Sequence, residues 1–332
     1  MIGQRYARII GLGQSVPRRV VTNDDLAKIV DTTDEWIRSR TGIGERRFVS
    51  EGESTATLAA QAGWRALEQA GTAAGDVDLV IVATSTPDYP LFPSAACLVQ
   101  AELELSRAGA YDLSAACSGF VYGLITASQF IATGAYNCIL VIGAETLSRY
   151  LNFEDRSTCV LFGDGAGAAV LAGTDEPGGL LSFVLGADGT GGEHLMVPAG
   201  GSRCPITPLG VADHQNTIRM NGREVYRFST TTPADALTRA AKAAGTRVED
   251  LDLVVAHQAN DRILQTVAKN LHVPEELFFS NVERLGNTSA ASIPLALCDA
   301  VAQQRIRPGS VVGLMGFGAG LTWATAIWRW QG

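Results

Sequence analysis

The stretch Tyr111-Asp112-Leu113-Ser114-Ala115-Ala116-Cys117-Ser118-Gly119-Phe120 joins a short β-type segment, residues 109–113, to residues 119–132, where apolar residues recur at helical spacing. This pattern predicts that Cys117 lies at a strand-to-helix junction. Free backbone N–H groups and the positive end of the helix dipole favour a thiolate there, which would make the cysteine nucleophilic. Taken alone, a cysteine among alanines is more often a small buried core residue. Whether Cys117 is a nucleophile or a core residue therefore depends on features elsewhere in the chain.

The chain contains an internal repeat. Residues 70–83 recur as residues 244–257 at an offset of 174, and Ser114–Cys117 recurs as Ser289–Ser292 at an offset of 175. Such self-similarity is typical of a duplicated architecture. Each copy alternates helical patterns with continuous apolar strands, as a sheet covered on both faces requires.

We therefore predict two α/β halves, residues 1–174 and 175–332, related by a pseudo-twofold axis. Equivalent loops of the two halves should then meet at the centre of the molecule. The first half would carry Cys117, and the second would bring the loops near His257 and Asn287 to face it.

Composition indicates a well-buried globular protein. Hydrophobic residues make up 46% and charged residues 18% of the 332 residues, and the net charge of −8 argues against a general nucleic-acid or anionic-membrane binder. The first eight residues lack a long apolar core, so we expect no secretory signal and a cytoplasmic location. The uncharged residues 311–328 contain four glycines and are interpreted as two buried strands rather than a membrane helix.

No cofactor or metal site is expected from the motifs. Six cysteines are scattered without Cys-x-x-Cys spacing, which indicates reduced thiols rather than a disulfide framework or a zinc site. Gly11-x-Gly13 follows a strand but has no third glycine, and Pro17 stands where a helix should run. A nucleotide cofactor is therefore not expected.

A second-half histidine and asparagine complete a candidate site. His257 ends a predicted strand at a position where the first half has Ala83, and Asn287 lies in the loop equivalent to the cysteine loop. Asn287 alone would be a turn residue, but opposite Cys117 its amide can donate a hydrogen bond to a developing oxyanion. A Cys–His–Asn set suits acyl transfer through a thioester.

Two further features have alternative interpretations. Trp36 with Arg38 and Arg40 could stack a nucleobase and hold a phosphate, or could be an ordinary solvated helix end. Ser94-Ala95-Ala96-Cys97 repeats the tetrapeptide of the cysteine stretch, so Cys97 is a rival nucleophile. No strand precedes it and a helical pattern continues around it, so we expect Cys97 to be a core residue.

Six segments match, in order, the motifs of one known group of enzymes. They are Asp31-Thr32 with Trp36-Ile37 and Arg40-Thr41-Gly42-Ile43, Phe92-Pro93-Ser94-Ala95-Ala96-Cys97, Ala116-Cys117-Ser118-Gly119-Phe120, His257-Gln258-Ala259-Asn260, Gly286-Asn287-Thr288-Ser289-Ala290-Ala291-Ser292-Ile293-Pro294 and Gly316-Phe317-Gly318-Ala319-Gly320-Leu321-Thr322-Trp323. Along essentially its whole length the chain resembles the thiolase-like condensing enzymes, most closely the β-ketoacyl-[acyl-carrier-protein] synthase III family. The resemblance implies duplicated α/β halves in a five-layer αβαβα arrangement.

The resemblance also implies a two-step reaction that starts fatty-acid synthesis. Cys117 would take the acyl group of a short acyl-CoA. His257 and Asn287 would then hydrogen-bond the thioester carbonyl of malonyl-acyl carrier protein, so that decarboxylation leaves an enolate that attacks the acyl-Cys117 carbonyl. Backbone N–H groups of Cys117 and of the turn Gly318-Ala319-Gly320 would hold the oxyanion. Many relatives have a third glycine at the position of Ala319.

The same carry-over assigns the binding surfaces and the assembly. The protein would be a cytoplasmic homodimer, with coenzyme A as part of the substrate rather than a cofactor. The residues so assigned are Thr32, Trp36 and Arg40 for the CoA adenine end, Phe92 (reaching across the dimer interface), Phe120 and Met220 for the acyl pocket, and Arg227, Arg262 and Lys269 for an acidic carrier protein. From the residues alone, the basic set could equally be an ordinary solvated face.

Two other functions remain as alternatives at this stage. One is a synthase III-like enzyme of a polyketide or other secondary pathway, with a different starter or acceptor. The other is a catalytically silent scaffold subunit, which retention of Cys117, His257 and Asn287 together argues against.

Overall fold

The computed structural model describes residues 5–331. The expectation of no secretory signal is based on residues 1–8, and the first four of these lie outside the described residues. The first part of the chain forms β1 Tyr6–Ser15, β2 Arg19–Thr22, α1 Asn23–Ala27, α2 Asp34–Thr41, β3 Glu45–Phe48, α3 Thr55–Ala70, β4 Leu79–Ala83, α4 Ala95–Glu102, β5 Gly109–Leu113, α5 Gly119–Ala132, β6 Cys138–Thr146 and β7 Asp164–Thr174.

The remainder of the chain repeats this pattern of strands and helices. It forms β8 Gly179–Ala187, β9 Leu195–Met196, α6 Pro208–Ala212, β10 Arg219–Met220, α7 Gly222–Ala243, β11 Leu253–Ala256, α8 Asp261–Leu271, β12 Phe278–Phe279, α9 Val282–Leu285, α10 Ser292–Ala302, β13 Val311–Gly318 and β14 Thr322–Arg329. The expected pair of strands within residues 311–328 is therefore confirmed. Within residues 5–331, no helix is long and apolar enough to cross a membrane.

Two five-stranded sheets have the same strand order. The first runs β1-β7-β6-β4-β5 and the second runs β8-β14-β13-β11-β12. The central strands are β6 and β13; β4 and β5 run parallel to β6, and β11 and β12 run parallel to β13. On the other side, β7 and β14 pair antiparallel with the central strands, and β1 and β8 pair antiparallel with β7 and β14. The identical order means that the second half repeats the topology of the first.

The layers follow from where the apolar side chains are buried. α5 and α10 lie between the two sheets in one shared core, α3 and α4 cover the outer face of the first sheet, and α7 and α8 cover that of the second. Strands such as β4 and β6 are buried along their whole length because helices cover both faces. The arrangement is the expected five-layer αβαβα fold.

The structure corrects one detail of the repeat. A short 3₁₀ helix, Ala116–Ser118, precedes α5, and its counterpart, Ser289–Ala291, precedes α10. Each begins at a residue with positive φ, +46° at Ala116 and +47° at Ser289. The tetrapeptide match had paired Cys117 with Ser292, but the backbone pairs Cys117 with Ala290. Because small residues recur in both loops, the tetrapeptide comparison aligned the two segments two positions away from the pairing that the backbone shows.

Candidate active site

Cys117 lies in the 3₁₀ turn at the start of α5, between the two halves of the fold. The residue is buried, and the backbone N–H groups of Cys117 itself and of Ala319 are placed to hydrogen-bond its sulfur. Burial nevertheless raises the pKa of the thiol to about 12. The expectation that the helix terminus favours a thiolate is therefore wrong for the unliganded protein, because desolvation outweighs the hydrogen bonds. The group is a thiol that must lose its proton before it can act as a nucleophile.

Gly318 brings the end of β13 against the cysteine. A Cβ atom at this position would lie 2.8 Å from both the Cβ and the Sγ of Cys117, closer than side-chain atoms pack. The absence of a side chain is what allows the following N–H group, that of Ala319, to point at the sulfur. Gly318 and Ala319 thus lie against Cys117, and the role of the turn Gly318-Ala319-Gly320 in holding an oxyanion stays a prediction.

We expect Gly318→Ala to lower the rate of Cys117 modification by about 100-fold or more, because the added methyl overlaps the nucleophile and displaces the Ala319 N–H. Gly75→Ala is the matched control, since a Cβ at Gly75 meets nothing within 4 Å and Gly75 is remote from the site. The rate of Cys117 alkylation and the melting temperature would be measured for both variants. A Gly318→Ala protein that reacts as fast as the control would contradict the assigned geometry.

His257 follows β11 and is held in place by three contacts. The backbone N–H of His257 donates to the carbonyl of Met315 at 2.8 Å, and the ring Nδ1 lies 2.7 Å from the Ser292 hydroxyl. The ring packs edge-on against the Phe317 ring, with 5.1 Å between the centroids. Burial lowers the pKa of His257 to about 3. The imidazole is therefore neutral near pH 7, with Nε2 as the ring nitrogen left for a substrate.

Asn287 is fixed by its own backbone and by a turn. Its N–H donates to the Leu161 carbonyl at 2.8 Å, and its carbonyl accepts from the Gly163 N–H at 2.9 Å. The side-chain Oδ1 accepts from the Ser289 N–H at 2.9 Å. Because the oxygen is occupied in this way, the amide NH₂ is the end available as a donor.

Cys117, His257 and Asn287 line one cavity, which also contains Trp36 and which we call the Trp36 cavity. Its volume is about 290 Å³. The three side chains come from the two halves of the chain, so neither half alone forms the site. The sequence prediction that these residues meet is consistent with this geometry, and their roles stay a prediction.

The outer part of the Trp36 cavity is cationic and aromatic. Arg40 lies 4.6 Å and Arg156 lies 5.0 Å from the centroid of the Trp36 ring, so two guanidinium groups flank the indole. The sequence prediction did not include Arg156. Arg156 belongs to no recognisable local motif, and it lies in a loop far from Trp36 in the sequence, so the sequence carries no signal for this contact. The predicted partner Thr32 does not line the cavity, although its buried hydroxyl has no hydrogen-bond partner.

A second cavity opens on the other side of Cys117. It has a volume of about 680 Å³, and we call it the Leu147 cavity because Leu147, Ile206 and Ile218 contribute to its apolar wall. Cys117 and Ala319 line it as well, so the sulfur lies where the two cavities meet.

The three residues predicted for an acyl pocket lie in different places. Phe120 is fully buried in the core shared by both sheets and lines neither cavity, which contradicts its assignment. It points into the packed side of α5 because the helix turns away from Cys117. Met220 lines the Trp36 cavity rather than the Leu147 cavity. Phe92 is 81% exposed in a loop of this single chain.

The remaining sequence predictions concern surface residues. Arg262 and Lys269 are exposed on α8, and Arg227 is exposed on the adjoining α7, where it pairs with Glu224. Cys97 is exposed on α4, so its assignment to the core is wrong. The apolar neighbours in its helix face the sheet, whereas Cys97 lies on the outward face. No group of three or more His, Cys, Asp or Glu side chains within residues 5–331 is arranged to hold a metal.

The fold and the buried Cys–His–Asn site define a thiolase-like condensing enzyme. Family models for 3-oxoacyl-[acyl-carrier-protein] synthase III and for its C-terminal part match residues 111–189 and 241–330. A curated relative, β-ketoacyl-[acyl-carrier-protein] synthase III of Roseiflexus sp. (strain RS-1), is 51% identical, covering 98% of each chain. The chain belongs to the 3-oxoacyl-[acyl-carrier-protein] synthase III family.

Solved structures agree with this assignment. The β-ketoacyl-[acyl-carrier-protein] synthase III of Thermus thermophilus superimposes with a TM-score of 0.90 at 46% identity, covering 98% of this chain and 99% of that one. The priming β-ketosynthase of the R1128 polyketide pathway superimposes with a TM-score of 0.91 at 36% identity, covering 100% of this chain and 98% of that one. Both share the fold over the full length of the chain.

Proposed function

We propose that this protein condenses a short acyl-CoA with malonyl-acyl carrier protein and so starts fatty-acid chains. The observation that carries the proposal is the convergence of Cys117, His257 and Asn287 on one cavity, in a chain about half identical to curated synthase III proteins. The reaction gives a β-ketoacyl-acyl carrier protein, carbon dioxide and free coenzyme A.

In the first half-reaction, the Cys117 sulfur attacks the thioester carbonyl of acyl-CoA. The N–H groups of Cys117 and Ala319, which point at the sulfur in the free protein, are placed to bind the oxyanion that forms beside it. Coenzyme A then leaves, and the acyl group stays on Cys117. A thiolate suits this step because it is both a strong nucleophile and a good leaving group.

In the second half-reaction, neutral donors stabilise an enolate. His257, held neutral by burial, and the Asn287 amide NH₂ hydrogen-bond the malonyl thioester carbonyl, so that loss of carbon dioxide leaves negative charge on an oxygen they both contact. The enolate carbon attacks the acyl-Cys117 carbonyl. Neutral donors suit this step because a strong acid would protonate the carbanion instead.

The two cavities divide the substrate between them. The adenine end of CoA binds at Trp36, where Arg40 and Arg156 supply stacking surfaces and positive charge for phosphate. The acyl chain extends from Cys117 into the Leu147 cavity, whose apolar wall suits an alkyl chain. Phe92, exposed in the single chain, is proposed to close the acyl pocket of a partner subunit in a homodimer.

We further propose that the protein acts in the cytoplasm, binds no nucleic acid or membrane, and needs no cofactor.

The exposed bases on α7 and α8 are proposed to bind the acidic carrier protein. Arg227, Arg262 and Lys269 lie on two adjoining helices that also contribute Tyr226 and Ile263 to the Trp36 cavity. A carrier protein docked there would deliver its malonyl arm towards Cys117. The overall charge of −8 makes a local basic surface more specific for an acidic partner.

We expect the double substitution Arg262→Glu and Lys269→Glu to raise the KM for malonyl-acyl carrier protein by about tenfold, since charge reversal replaces attraction by repulsion. The rate of Cys117 acylation by acyl-CoA should not change. Arg107→Glu, a reversal at an exposed arginine on the other half, is the control. Both KM values would be measured at low and high salt, and an equal effect of the control would contradict the docking surface.

The polyketide alternative has less support. The R1128 priming enzyme is 36% identical, whereas the curated β-ketoacyl-[acyl-carrier-protein] synthase III relatives reach 51%. The scaffold alternative is disfavoured because Cys117, His257 and Asn287 are all present and line the same cavity.

The test is the intact mass of the protein after brief incubation with a panel of acyl-CoAs, followed by malonyl-acyl carrier protein. We expect an acyl adduct on Cys117, located by peptide digestion, that malonyl-acyl carrier protein discharges. The fastest-loading CoA identifies the starter. Absence of an adduct with every CoA, or an adduct on Cys97, would overturn the proposal.

A further inference from the structure

Glu145 is a fully buried carboxylate that the reaction described above does not use. It lies near the end of β6 and accepts hydrogen bonds from the Thr86 hydroxyl at 2.6 Å, from the Ser85 N–H at 3.2 Å and from the Ser289 hydroxyl at 3.0 Å. Among residues 5–331, no lysine, arginine or histidine forms an ion pair with it. Burying a carboxylate without a cation costs free energy, which favours its protonated form. Such groups are therefore often found at functional sites.

The Ser289 hydroxyl connects this carboxylate to the nucleophile. The Ser289 hydroxyl donates to Glu145 Oε1 at 3.0 Å, and Ser289 and Cys117 line the same cavity. The Ser289 hydroxyl also acts on the Cys117 sulfur, because it lowers the pKa of that thiol against the larger effect of burial. Its position is fixed, because its N–H donates to Asn287 Oδ1 at 2.9 Å and its backbone has a φ of +47°. A hydroxyl has one proton to donate and lone pairs to accept, so it can pass a proton between two such neighbours.

We propose that Glu145 accepts the proton of the Cys117 thiol through the Ser289 hydroxyl when the cysteine is acylated, and returns it when condensation releases the cysteine. The inference rests on the proposed function for its substrates. It answers the need, raised by the buried thiol, for a proton acceptor within reach of the sulfur.

The proton balance closes over the two half-reactions. In the first, the thiol proton moves to Ser289 Oγ while the Ser289 proton moves to Glu145, the sulfur–acyl bond forms, and CoA leaves as a thiolate that takes a proton from water. In the second, decarboxylation supplies the electron pair that forms the new carbon–carbon bond. The Cys117 thiolate is expelled and regains its proton from Glu145 through Ser289. No oxidant, reductant or further reactant is required.

The electrostatics favour this exchange. Burial raises the pKa of Glu145 to about 7, so the carboxylate is available near neutral pH but binds a proton readily. Its negative charge also opposes a thiolate at Cys117, and protonation of Glu145 removes that repulsion. The other titratable groups nearby are acids: Tyr150, whose pKa the Glu145 charge helps to raise, and Asp164 on the adjacent strand, whose carboxylate is held by Ser148 and Val49.

His257 is the rival acceptor, and the structure disfavours it. Its Nδ1 is engaged with the Ser292 hydroxyl, and a pKa of about 3 makes the imidazole a weak base. The neutral ring is better suited to donate a hydrogen bond to the enolate than to remove a thiol proton.

The test compares Glu145→Gln, Ser289→Ala and His257→Ala with the wild type between pH 5 and pH 9, under rapid-quench conditions. Two rates are measured on Cys117 by peptide mass: acylation by acyl-CoA and alkylation by iodoacetamide. In the wild type we expect both to rise as Glu145 deprotonates, through a pH of about 7, and then level off. Glu145→Gln and Ser289→Ala should lose this rise and react about 100-fold more slowly at pH 7.5.

Three comparisons separate a proton acceptor from a structural residue. The double variant should be no slower than either single variant, because both changes interrupt one pathway. His257→Ala should keep the rise. Ser128→Ala, which removes a buried hydroxyl bonded to the Leu124 carbonyl, should match the wild type. If Glu145→Gln does not fold, judged by circular dichroism, Ser289→Ala carries the test, since its backbone bond to Asn287 remains.

The inference is overturned if Glu145→Gln and Ser289→Ala keep the pH-dependent rise, whatever their absolute rates, or if His257→Ala alone loses it. Alkylation makes the test independent of the substrate. A Glu145-dependent rise in alkylation without any acylation would mean that the proposed substrate is wrong while the proton acceptor stands.

Discussion

Cys117→Ala is expected to abolish the acyl-enzyme and to lower the overall condensation rate by about 10⁴-fold or more, since the remaining groups can only position the two thioesters. The fold should be retained, because the sulfur borders two cavities and is not packed in a layer of the core. Intact mass after acyl-CoA addition measures the first effect, and formation of β-ketoacyl-acyl carrier protein from acyl-CoA and malonyl-acyl carrier protein measures the second.

Cys97→Ala is the matched control for this variant. The same Ser-Ala-Ala-Cys tetrapeptide surrounds Cys97, but this thiol is exposed on α4 and lines neither cavity. We expect Cys97→Ala to acylate and condense at the wild-type rate. Acylation that survives in Cys117→Ala and disappears in Cys97→Ala would reverse the assignment of the nucleophile.

Much of the architecture could be predicted from periodicity and repetition. The apolar spacing after Cys117 predicted a helix over residues 119–132, and α5 has these bounds. The offset of 174 between two apolar strands predicted a duplication, and β4 and β11 occupy equivalent places in sheets of identical order. Burial of a strand or a helix face depends on its own sequence pattern, so such features are visible in a single chain.

Features that depend on the surroundings in three dimensions could not be predicted in this way. The helix terminus at Cys117 is a local property, but the burial that raises its pKa comes from β13 and from the opposite half. Arg156 meets Trp36 only because a loop folds over α2. Cys97 has apolar neighbours in sequence, but the helix turns it away from the sheet. In each case the deciding contact is distant along the chain.

Asn287→Asp is expected to separate the two half-reactions. The substitution preserves size and keeps the oxygen that accepts from the Ser289 N–H, but it replaces the amide donor by a negative charge facing the enolate. Loss of one oxyanion donor costs about 10²–10³-fold, so decarboxylation and condensation should fall by at least that much. Acylation of Cys117 should fall by less than about tenfold, through repulsion between the new carboxylate and the thiolate.

The ratio of the two rates is the informative quantity. Rapid-quench mass spectrometry gives the acylation rate, and discharge of the preformed acyl-enzyme by malonyl-acyl carrier protein gives the condensation rate. Asn152→Asp is the control, because Asn152 makes the same turn, accepting from the Glu154 N–H at 2.9 Å, away from both cavities. If Asn287→Asp slows both half-reactions by the same factor, Asn287 shapes the site but does not stabilise the enolate. A selective loss of condensation would instead tie the amide to the carbon–carbon bond-forming step.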